Sequence, residues 1–259
     1  MQQTLSLSAE PTVRFSNRVG NYVKYRPGYP EAVLQSLQQE FNLNADSYIA
    51  DIGSGTGIFT KLLLDKGYKV YAVEPNEPMK AFAESDLKGY KNFTSVAGTA
   101  EHTNLLANSI DLITSATAFH WFDVEKSRVE FKRVLKPNGA VVLLWNVRKA
   151  DTDAFAIAYD KLLLKYSGDY KEVKDKTLNG ERLAGFFDQG KFETISYPNE
   201  QVFDEEGLIG RSLSSSYVPL PETAEGKVFL NDLKAIFAEH QIDGKVRFLY
   251  DTVMYIGRV

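Results

Sequence analysis

The sequence predicts a doubly wound α/β fold built around a mostly parallel sheet. Short apolar, β-prone segments alternate with helix-like stretches in the first part of the chain. Alternation of this length is typical of right-handed βαβ crossovers. The run at 142–145 (VLLW) is apolar throughout, which indicates a central strand buried on both faces. A glycine-rich turn follows the first strand, at the sheet edge where open α/β folds bind ligands.

The predicted elements follow in order along the chain. Strands are predicted at 47–52, 68–73, 92–97, 110–115 and 140–147, with helices between them at 57–66, 76–88 and 123–135. Asn76 is expected to cap the second helix. Pro137-Asn138-Gly139 is expected to end the third helix and turn the chain into the fifth strand. The less regular second half has predicted helices at 153–166 and 222–240 and strands at 192–203 and 245–257.

Composition and charge exclude several classes of protein. The 259 residues suffice for one large α/β domain or two small ones without a disulfide or metal. The chain has no cysteine, which excludes disulfides, cysteine-ligated metals and a thiol nucleophile. The three histidines are too scattered to predict a metal site. The formal net charge of −4 argues against a protein that coats nucleic acid.

Hydropathy predicts neither a membrane span nor a secretory leader. No apolar run reaches the length of about 18 residues that a spanning helix needs. The first residues lack the charged-then-apolar pattern of a signal peptide, so we expect a cytoplasmic protein.

The densest motif is the segment at 51–57 (DIGSGTG), here called the glycine loop, between the first strand and the first helix. Glycines there allow a tight turn and let a ligand approach the main chain. A dinucleotide fingerprint needs a further glycine where this chain has Ile58, so the ligand need not be a pyrophosphate. Asp51, directly before the turn, suits a cationic or amine-bearing ligand better than a phosphate.

An acidic residue, Glu74, ends the second predicted strand. A carboxylate at this position can accept hydrogen bonds from both hydroxyls of a ribose. Taken separately, the glycine loop is compatible with a simple tight connection, and Asp51 and Glu74 with ordinary exposed carboxylates. Together, at the ends of adjacent strands, they favour a nucleoside site.

At these residues the chain resembles the class I S-adenosylmethionine-dependent methyltransferases, and among them the small-molecule "type 11" subgroup. DIGSGTG resembles the first motif of that family and AVEP (72–75) the second. IDLITSATAFHWFD (110–123) and LKPNGAVVLLWN (135–146) resemble its strand-four and strand-five segments. The resemblance covers about residues 13–148. It implies a Rossmann-like, mostly parallel seven-stranded sheet with an antiparallel final strand and a helical insertion.

The resemblance also implies a cofactor, S-adenosyl-L-methionine, which leaves as S-adenosyl-L-homocysteine. The implied cofactor contacts are Tyr22, Tyr25, Arg26, Asp51, Gly53, Ser54, Gly55, Thr56, Gly57, Glu74, Pro75, Met79, Thr99, Ala100, Glu101, Ala116 and Phe119. In the resembling proteins the stretch at 22–30 folds over the cofactor, so Arg26 is expected to pair with its carboxylate and Tyr22 or Tyr25 to close the pocket. The alternative interpretations are a solvated turn for this stretch and a place in the helix core for Met79. Thr99 stands where many members have Asp, which shifts the expected adenine recognition to the backbone near Ala100 and Glu101.

Methyl transfer from a sulfonium is an in-line displacement that depends mainly on alignment of the acceptor. A base is needed only when the nucleophile arrives protonated, and His120, just after the fourth strand, is the candidate. The alternative interpretation is that His120 only lines the pocket. Candidate residues on the acceptor side are Trp121, Arg148, Arg211 and Tyr217. No metal is expected.

The expected organisation is a single domain. It comprises an N-terminal cap (1–46), a cofactor-binding core (47–148), a substrate-side insertion (149–220), and a closing helix and strand (221–259). We expect a methyltransferase that acts on a small-molecule acceptor, as a monomer or homodimer, with no nucleic-acid or membrane partner. Two alternatives stay open: a non-catalytic S-adenosylmethionine-binding module and a nicotinamide-dependent oxidoreductase. Ile58 and the final strand count against the oxidoreductase.

Overall fold

The chain forms two compact units in the computed structural model, which describes residues 19–168, 170 and 180–259. The sheet unit comprises Gly28–Asn146, Leu178–Tyr197 and Thr252–Val259. The helical unit comprises the described residues up to Pro27 and those within Val147–Thr177 and Pro198–Asp251. The first part of the predicted cap, residues 1–18, lies outside the described residues.

A seven-stranded sheet has the strand order β3-β2-β1-β4-β5-β7-β6. The strands are β1 (Tyr48–Ile52), β2 (Lys69–Val73), β3 (Phe93–Val96), β4 (Ile110–Ala116), β5 (Leu135–Arg148), β6 (Phe192–Phe203) and β7 (Val246–Gly257). The pairings from β3 through β5 are parallel, whereas β7 is antiparallel. The predicted fold class is therefore confirmed, and β5 lies in the interior of the sheet as its apolar run predicts.

Helices connect and flank the strands. They are α1 (Val19–Tyr25), α2 (Glu31–Phe41), α3 (Ile58–Asp65), α4 (Glu77–Leu87), α5 (Val124–Val134), α6 (Ala154–Tyr166), α7 (Gly180–Phe186), α8 (Glu205–Leu213) and α9 (Ala224–His240). The predicted capping of α4 by Asn76 is confirmed, since the Asn76 side chain accepts a hydrogen bond from the backbone N–H of Met79. Asp123 caps α5 in the same way.

The start of β5 differs from the prediction. The strand begins at Leu135, directly after α5, and Pro137-Asn138-Gly139 lies within it rather than before it. Ile110 of β4 pairs with Leu135 of β5, and Leu112 pairs with Ala140. Between these two pairs β5 therefore contains more residues than β4. The proline, which has no N–H for the sheet, therefore lies in a bulge.

Each unit has its own apolar core. In the sheet unit, strand residues such as Ile49 and Leu112 pack with Leu63 of α3 and Leu87 of α4. In the helical unit, a cluster centred on Phe248 includes residues of α6, α8 and α9. No helix within the described ranges is both long and apolar enough to cross a membrane.

We predict that Leu63→Ala destabilises the protein strongly, because Leu63 is fully buried in the core of the sheet unit. Truncation of a buried leucine costs about 2–5 kcal/mol through lost burial and the cavity left behind. Urea denaturation measures the free energy of unfolding. Leu106→Ala is the matched control, since this side chain is 79% exposed and its loss is expected to cost less than about 0.5 kcal/mol. Equal losses in the two variants would contradict the assigned core.

Candidate functional site

The glycine loop turns tightly at the carboxyl end of β1. Gly53 has a φ of +68°, and a Cβ built on it would lie 2.5 Å from the Cβ of Ala118. Only glycine therefore fits where the loop passes the segment that follows β4. The Cβ direction of Gly55 points toward α4, where the Sδ of Met79 would lie 3.8 Å away. The loop thus brings together three predicted site segments: the ends of β1 and β4 and the start of α4.

The Glu74 carboxylate fixes the loop from the neighbouring strand. Its Oε2 accepts a hydrogen bond from the backbone N–H of Gly55 at 2.8 Å, and its Oε1 accepts one from the N–H of Asn76 at 2.8 Å. The side chain is buried. Burial raises the pKa of Glu74, and the two backbone N–H groups oppose that rise. Pro75, the next residue, is exposed.

Asp51 is held behind the loop by two threonines. Thr60 Oγ1 of α3 donates to Oδ2 at 2.7 Å, and Thr114 Oγ1 of β4 donates to Oδ1 at 3.1 Å. Asp51 is 1% exposed, and burial raises the pKa of its carboxyl to about 6 even though both hydroxyls favour the charged form. Neither threonine was among the predicted site residues, because α3 and β4 meet Asp51 only in the folded chain.

The segment after β3 forms a tight turn. The backbone N–H of Thr99 donates to the His102 carbonyl at 3.0 Å, and the His102 N–H donates to Thr99 Oγ1 at 3.2 Å. Thr99 is exposed and Ala100 is buried. Glu101 Oε1 accepts a hydrogen bond from the backbone N–H of Asp123 at 2.8 Å. This bond links the turn to the chain that leads into α5.

The segment after β4 carries His120 in a short 3-10 helix, Phe119–Trp121. Thr117, directly before it, has a φ of +59°, an uncommon conformation for a β-branched residue. The half-buried His120 ring packs against Trp121, with 4.8 Å between the ring centroids. Phe119 is buried and packs edge-on against Phe186 of α7.

Arg182 of α7, which the sequence analysis missed, supports this short helix. Its guanidinium donates hydrogen bonds to the backbone carbonyls of Phe119 and Phe122 and lies over the Phe119 ring. No sequence motif marks Arg182, because its role depends on the packing of α7 against the segment after β4.

The comparisons with known proteins agree with this geometry. A family model described as a methyltransferase domain matches residues 50–143. A methyltransferase-like protein of Schizosaccharomyces pombe is 30% identical over 246 residues, which cover 93% of each chain. The chain belongs to the class I S-adenosylmethionine-dependent methyltransferases.

Two solved structures show the same fold. A methyltransferase from Anaeromyxobacter dehalogenans superposes with a TM-score of 0.67 at 20% identity, covering 90% of this chain and 98% of its own. A phosphoethanolamine N-methyltransferase of Haemonchus contortus, in complex with S-adenosylhomocysteine, gives a TM-score of 0.50 at 16% identity. The alignment covers 94% of this methyltransferase and 58% of the Haemonchus chain.

The residues of the glycine loop fit the cofactor that the family uses. The buried hydroxyl of Thr56 has no hydrogen-bond partner among the described residues. Thr56 directly follows Gly55, whose backbone N–H donates to Glu74 and whose Cβ direction points at Met79. A polar atom without a partner and a main chain with no Cβ at Gly55 together suit a ligand with amine and hydroxyl groups.

Of the remaining predicted site residues, Ser54, Gly57, Ala116 and Trp121 lie in the sheet unit, and the others lie in the helical unit. Arg148 forms an ion pair with Asp160 at 2.6 Å and donates to the Tyr170 hydroxyl at 2.8 Å. The other residues of this group are Tyr22, Tyr25, Arg26, Arg211 and Tyr217. Arg148 therefore already has a carboxylate partner.

We predict that Asp51→Asn changes how stability depends on pH. Because the pKa of Asp51 is raised to about 6 in the folded protein, folding favours its protonated form. The carboxyl therefore destabilises the fold progressively as pH rises from its unfolded value of about 4 to about 6, by roughly 3 kcal/mol at neutral pH. The variant is expected to lose this penalty and gain stability relative to the wild type between pH 4.5 and pH 7.5.

Urea denaturation at several pH values measures this difference. Asp86→Asn, a change at an exposed carboxylate of α4, is the control, and its stability is expected to track the wild type at every pH. A constant difference between wild type and Asp51→Asn across the pH range would contradict the raised pKa.

Proposed function

We propose that this methyltransferase binds S-adenosylmethionine at the carboxyl ends of β1, β2 and β4 and transfers its methyl group to a small-molecule acceptor. The observation that carries the proposal is the hydrogen bond from the Gly55 N–H to Glu74, which joins the glycine loop to the acid after β2. The Haemonchus relative, which binds S-adenosylhomocysteine, supports the choice of cofactor.

Each group near the loop has a role in this proposal. The backbone at Gly53, Ser54 and Gly55 surrounds the methionyl part, and the Thr56 hydroxyl donates to or accepts from it. Glu74 accepts from the ribose hydroxyls with lone pairs that Gly55 and Asn76 leave free, since each carboxylate oxygen has two. Met79, beside Gly55, contacts the adenine.

Asp51 acts in this proposal through its charge and through the position of the loop. Its two oxygens already accept hydrogen bonds from Thr60 and Thr114, and its exposed fraction is 1%. Near pH 7 it is largely ionised, because its pKa is about 6. A negative charge behind the loop favours the amine and the sulfonium of the cofactor.

The cofactor supplies an activated methyl group on a positively charged sulfur. The protein then has to hold the acceptor in line with that methyl, and orientation alone is worth roughly 7–11 kcal/mol. We propose that His120 and Trp121, in the short helix that Arg182 supports, form the wall against which the acceptor aligns.

We predict that Glu74→Ala weakens S-adenosylhomocysteine binding by about 2–4 kcal/mol, or roughly 30- to 1,000-fold. Hydrogen bonds to a charged group are worth about 1.5–3 kcal/mol each and do not add fully. The structure adds a second effect: two backbone N–H groups lose their acceptor, so the free energy of unfolding is expected to fall by about 1–3 kcal/mol.

Isothermal titration calorimetry measures the affinity for S-adenosylhomocysteine, at a temperature where the wild type, Glu74→Ala and Glu77→Ala are all folded. Glu77→Ala is the matched control, because it removes an exposed carboxylate from the first turn of α4. Its dissociation constant is expected to equal that of the wild type. Equal affinities for Glu74→Ala and Glu77→Ala would refute the ribose role of Glu74.

We predict that His120→Gln lowers turnover by less than tenfold, because the ring only lines the pocket. This corresponds to a rise of less than about 1.4 kcal/mol in the activation free energy. A general base contributes about 10²–10⁴-fold, so a base at this position would make the loss at least a hundredfold. The rate is measured as the formation of S-adenosylhomocysteine in the presence of an acceptor that the wild type methylates. A hundredfold loss with unchanged cofactor affinity would identify His120 as the base.

A further inference from the structure

The chain leaves β4 through a strained residue. Thr117, directly after the strand, has a φ of +59°, a conformation that costs stability for a β-branched side chain. Among the described residues, the other non-glycine positions with a positive φ carry Asn, Asp or Gln, so Thr117 is the one β-branched residue in this group. A strained residue persists only where its surroundings hold it, and such residues cluster at functional sites.

Two hydrogen bonds hold Thr117 in this conformation. Its backbone N–H donates to the Leu144 carbonyl of β5 at 2.7 Å, next to the pair that Ala116 forms with Leu144. Its Oγ1 shares a hydrogen bond with the Tyr29 hydroxyl at 3.2 Å. The first bond fixes the backbone at the end of β4, and the second fixes the side chain.

Tyr29 presents its hydroxyl from an anchored position within the same unit. Its ring packs edge-on against the buried Phe59 of α3, with 4.9 Å between the ring centroids. The carbonyl of Gly28, the preceding residue, accepts a hydrogen bond from Nδ2 of Asn146 at 3.1 Å. Oδ1 of Asn146 accepts one from the hydroxyl of Thr252 in β7 at 2.5 Å. Contacts from α3 and from the sheet therefore hold Tyr29 beside Thr117.

The residue after Thr117 contacts the glycine loop and begins the short helix. Ala118 is buried, and its Cβ lies 2.5 Å from the place that a Cβ on Gly53 would occupy. The Ala118 carbonyl accepts a hydrogen bond from the backbone N–H of Trp121 at 2.9 Å. The direction in which the chain leaves Thr117 therefore sets the positions of the glycine-loop contact and of His120.

A relaxed backbone at Thr117 would lose this arrangement. An ordinary negative φ would rotate the following chain by more than about 100° relative to the observed conformation. Ala118 would then leave its contact with Gly53. Arg182 holds the carbonyls of Phe119 and Phe122, but neither of these bonds fixes the φ of Thr117.

We propose that Thr117 is a positioning residue, held in its strained conformation by the Tyr29 hydroxyl, and that it keeps Ala118 against the glycine loop. The link to cofactor binding rests on the function proposed above, in which that loop surrounds the methionyl part. Neither Thr117 nor Tyr29 is among the predicted site residues. The two hydroxyls act on cofactor affinity through the position of Ala118.

Three variants of Thr117 separate positioning from packing. Serine keeps the hydroxyl, glycine lacks it but adopts a positive φ freely, and valine copies the shape of threonine but loses the hydroxyl and stays strained. Calorimetric titration with S-adenosylhomocysteine is expected to give Thr117→Ser an affinity within about threefold of the wild type. Thr117→Val is expected to bind at least about tenfold more weakly, with Thr117→Gly between them. Packing alone predicts the reverse order, with valine nearest to the wild type.

Tyr29→Phe tests the other side of the hydrogen bond, since it removes the hydroxyl and keeps the ring on Phe59. Its affinity for S-adenosylhomocysteine is expected to fall by about five- to tenfold. The double variant Tyr29→Phe/Thr117→Val is expected to bind no more than about twofold more weakly than Thr117→Val, because both changes remove the same bond.

The matched controls remove the same groups elsewhere in the sheet unit. Tyr90→Phe loses a hydroxyl that donates to Asp65, and Thr94→Val alters an exposed threonine of β3. Both are expected to bind like the wild type. Circular dichroism verifies that every variant is folded at the temperature of the titration.

Hydrogen exchange of the free proteins gives a second readout that needs no ligand. The backbone amides of Trp121 and Phe122, which donate to the carbonyls of Ala118 and Phe119, report on the short helix. Their exchange is expected to be fastest in Thr117→Val, slower in Thr117→Gly, and slowest in Thr117→Ser and the wild type.

The proposal is overturned if Thr117→Val and Tyr29→Phe bind S-adenosylhomocysteine like their controls, or if Thr117→Gly binds more weakly than Thr117→Val. Failure of the wild type to bind S-adenosylhomocysteine would instead contradict the proposed function. The exchange rates would then decide the positioning role by themselves, and equal rates in the wild type and Thr117→Val would overturn it.

Discussion

The hydrogen bonds of the Glu74 carboxylate organise the candidate site. One oxygen holds the Gly55 N–H of the glycine loop, and the other holds the N–H of Asn76, the residue that caps α4. A single buried side chain therefore fixes the loop after β1, the loop after β2 and the start of a helix. Replacing Glu74 removes the acceptor for all three at once, so we expect stability and cofactor affinity to change together at this position.

The two units differ in the hydrogen-bond partners of their buried charged side chains. In the sheet unit, Asp51 accepts from two threonine hydroxyls and Glu74 from two backbone N–H groups, so the hydrogen bonds offset part of the cost of burial. In the helical unit, the hydrogen bonds that Arg26 and Arg211 donate to other described residues all go to neutral acceptors.

Local sequence predicts the sheet unit well. The strands and most of the helices between them follow from apolar runs and caps that are readable over a few residues, and the glycine loop and Glu74 come from such local motifs. The bulge in β5 was missed, because a proline and a glycine in sequence normally indicate a turn. In the folded protein the pairing of β5 with β4 continues on both sides of these residues, so they lie within the strand as a bulge.

In the second half of the chain, the predicted helices at 153–166 and 222–240 and strands at 192–203 and 245–257 match α6, α9, β6 and β7, whereas α8 was not predicted, for a physical reason. Helix α8 contains two glycines, which have low helix propensity, and it forms because Gly210 packs against Tyr25 from far along the chain. The partners of Arg26 and Arg211 depend on the same long-range contact. Thr60 and Thr114 likewise reach Asp51 from separate elements, so no spacing in the sequence marks them.

The central claim is that the glycine loop, held by Glu74, binds the adenosyl cofactor of the family. Calorimetric titration of the wild type with S-adenosylhomocysteine and with NAD, combined with hydrogen exchange of the backbone amides, tests this claim most directly. We predict that S-adenosylhomocysteine binds and slows exchange at Gly53–Gly57 and at the start of α4, whereas NAD does neither. Binding of NAD alone, or protection by S-adenosylhomocysteine confined to other segments, would contradict the account.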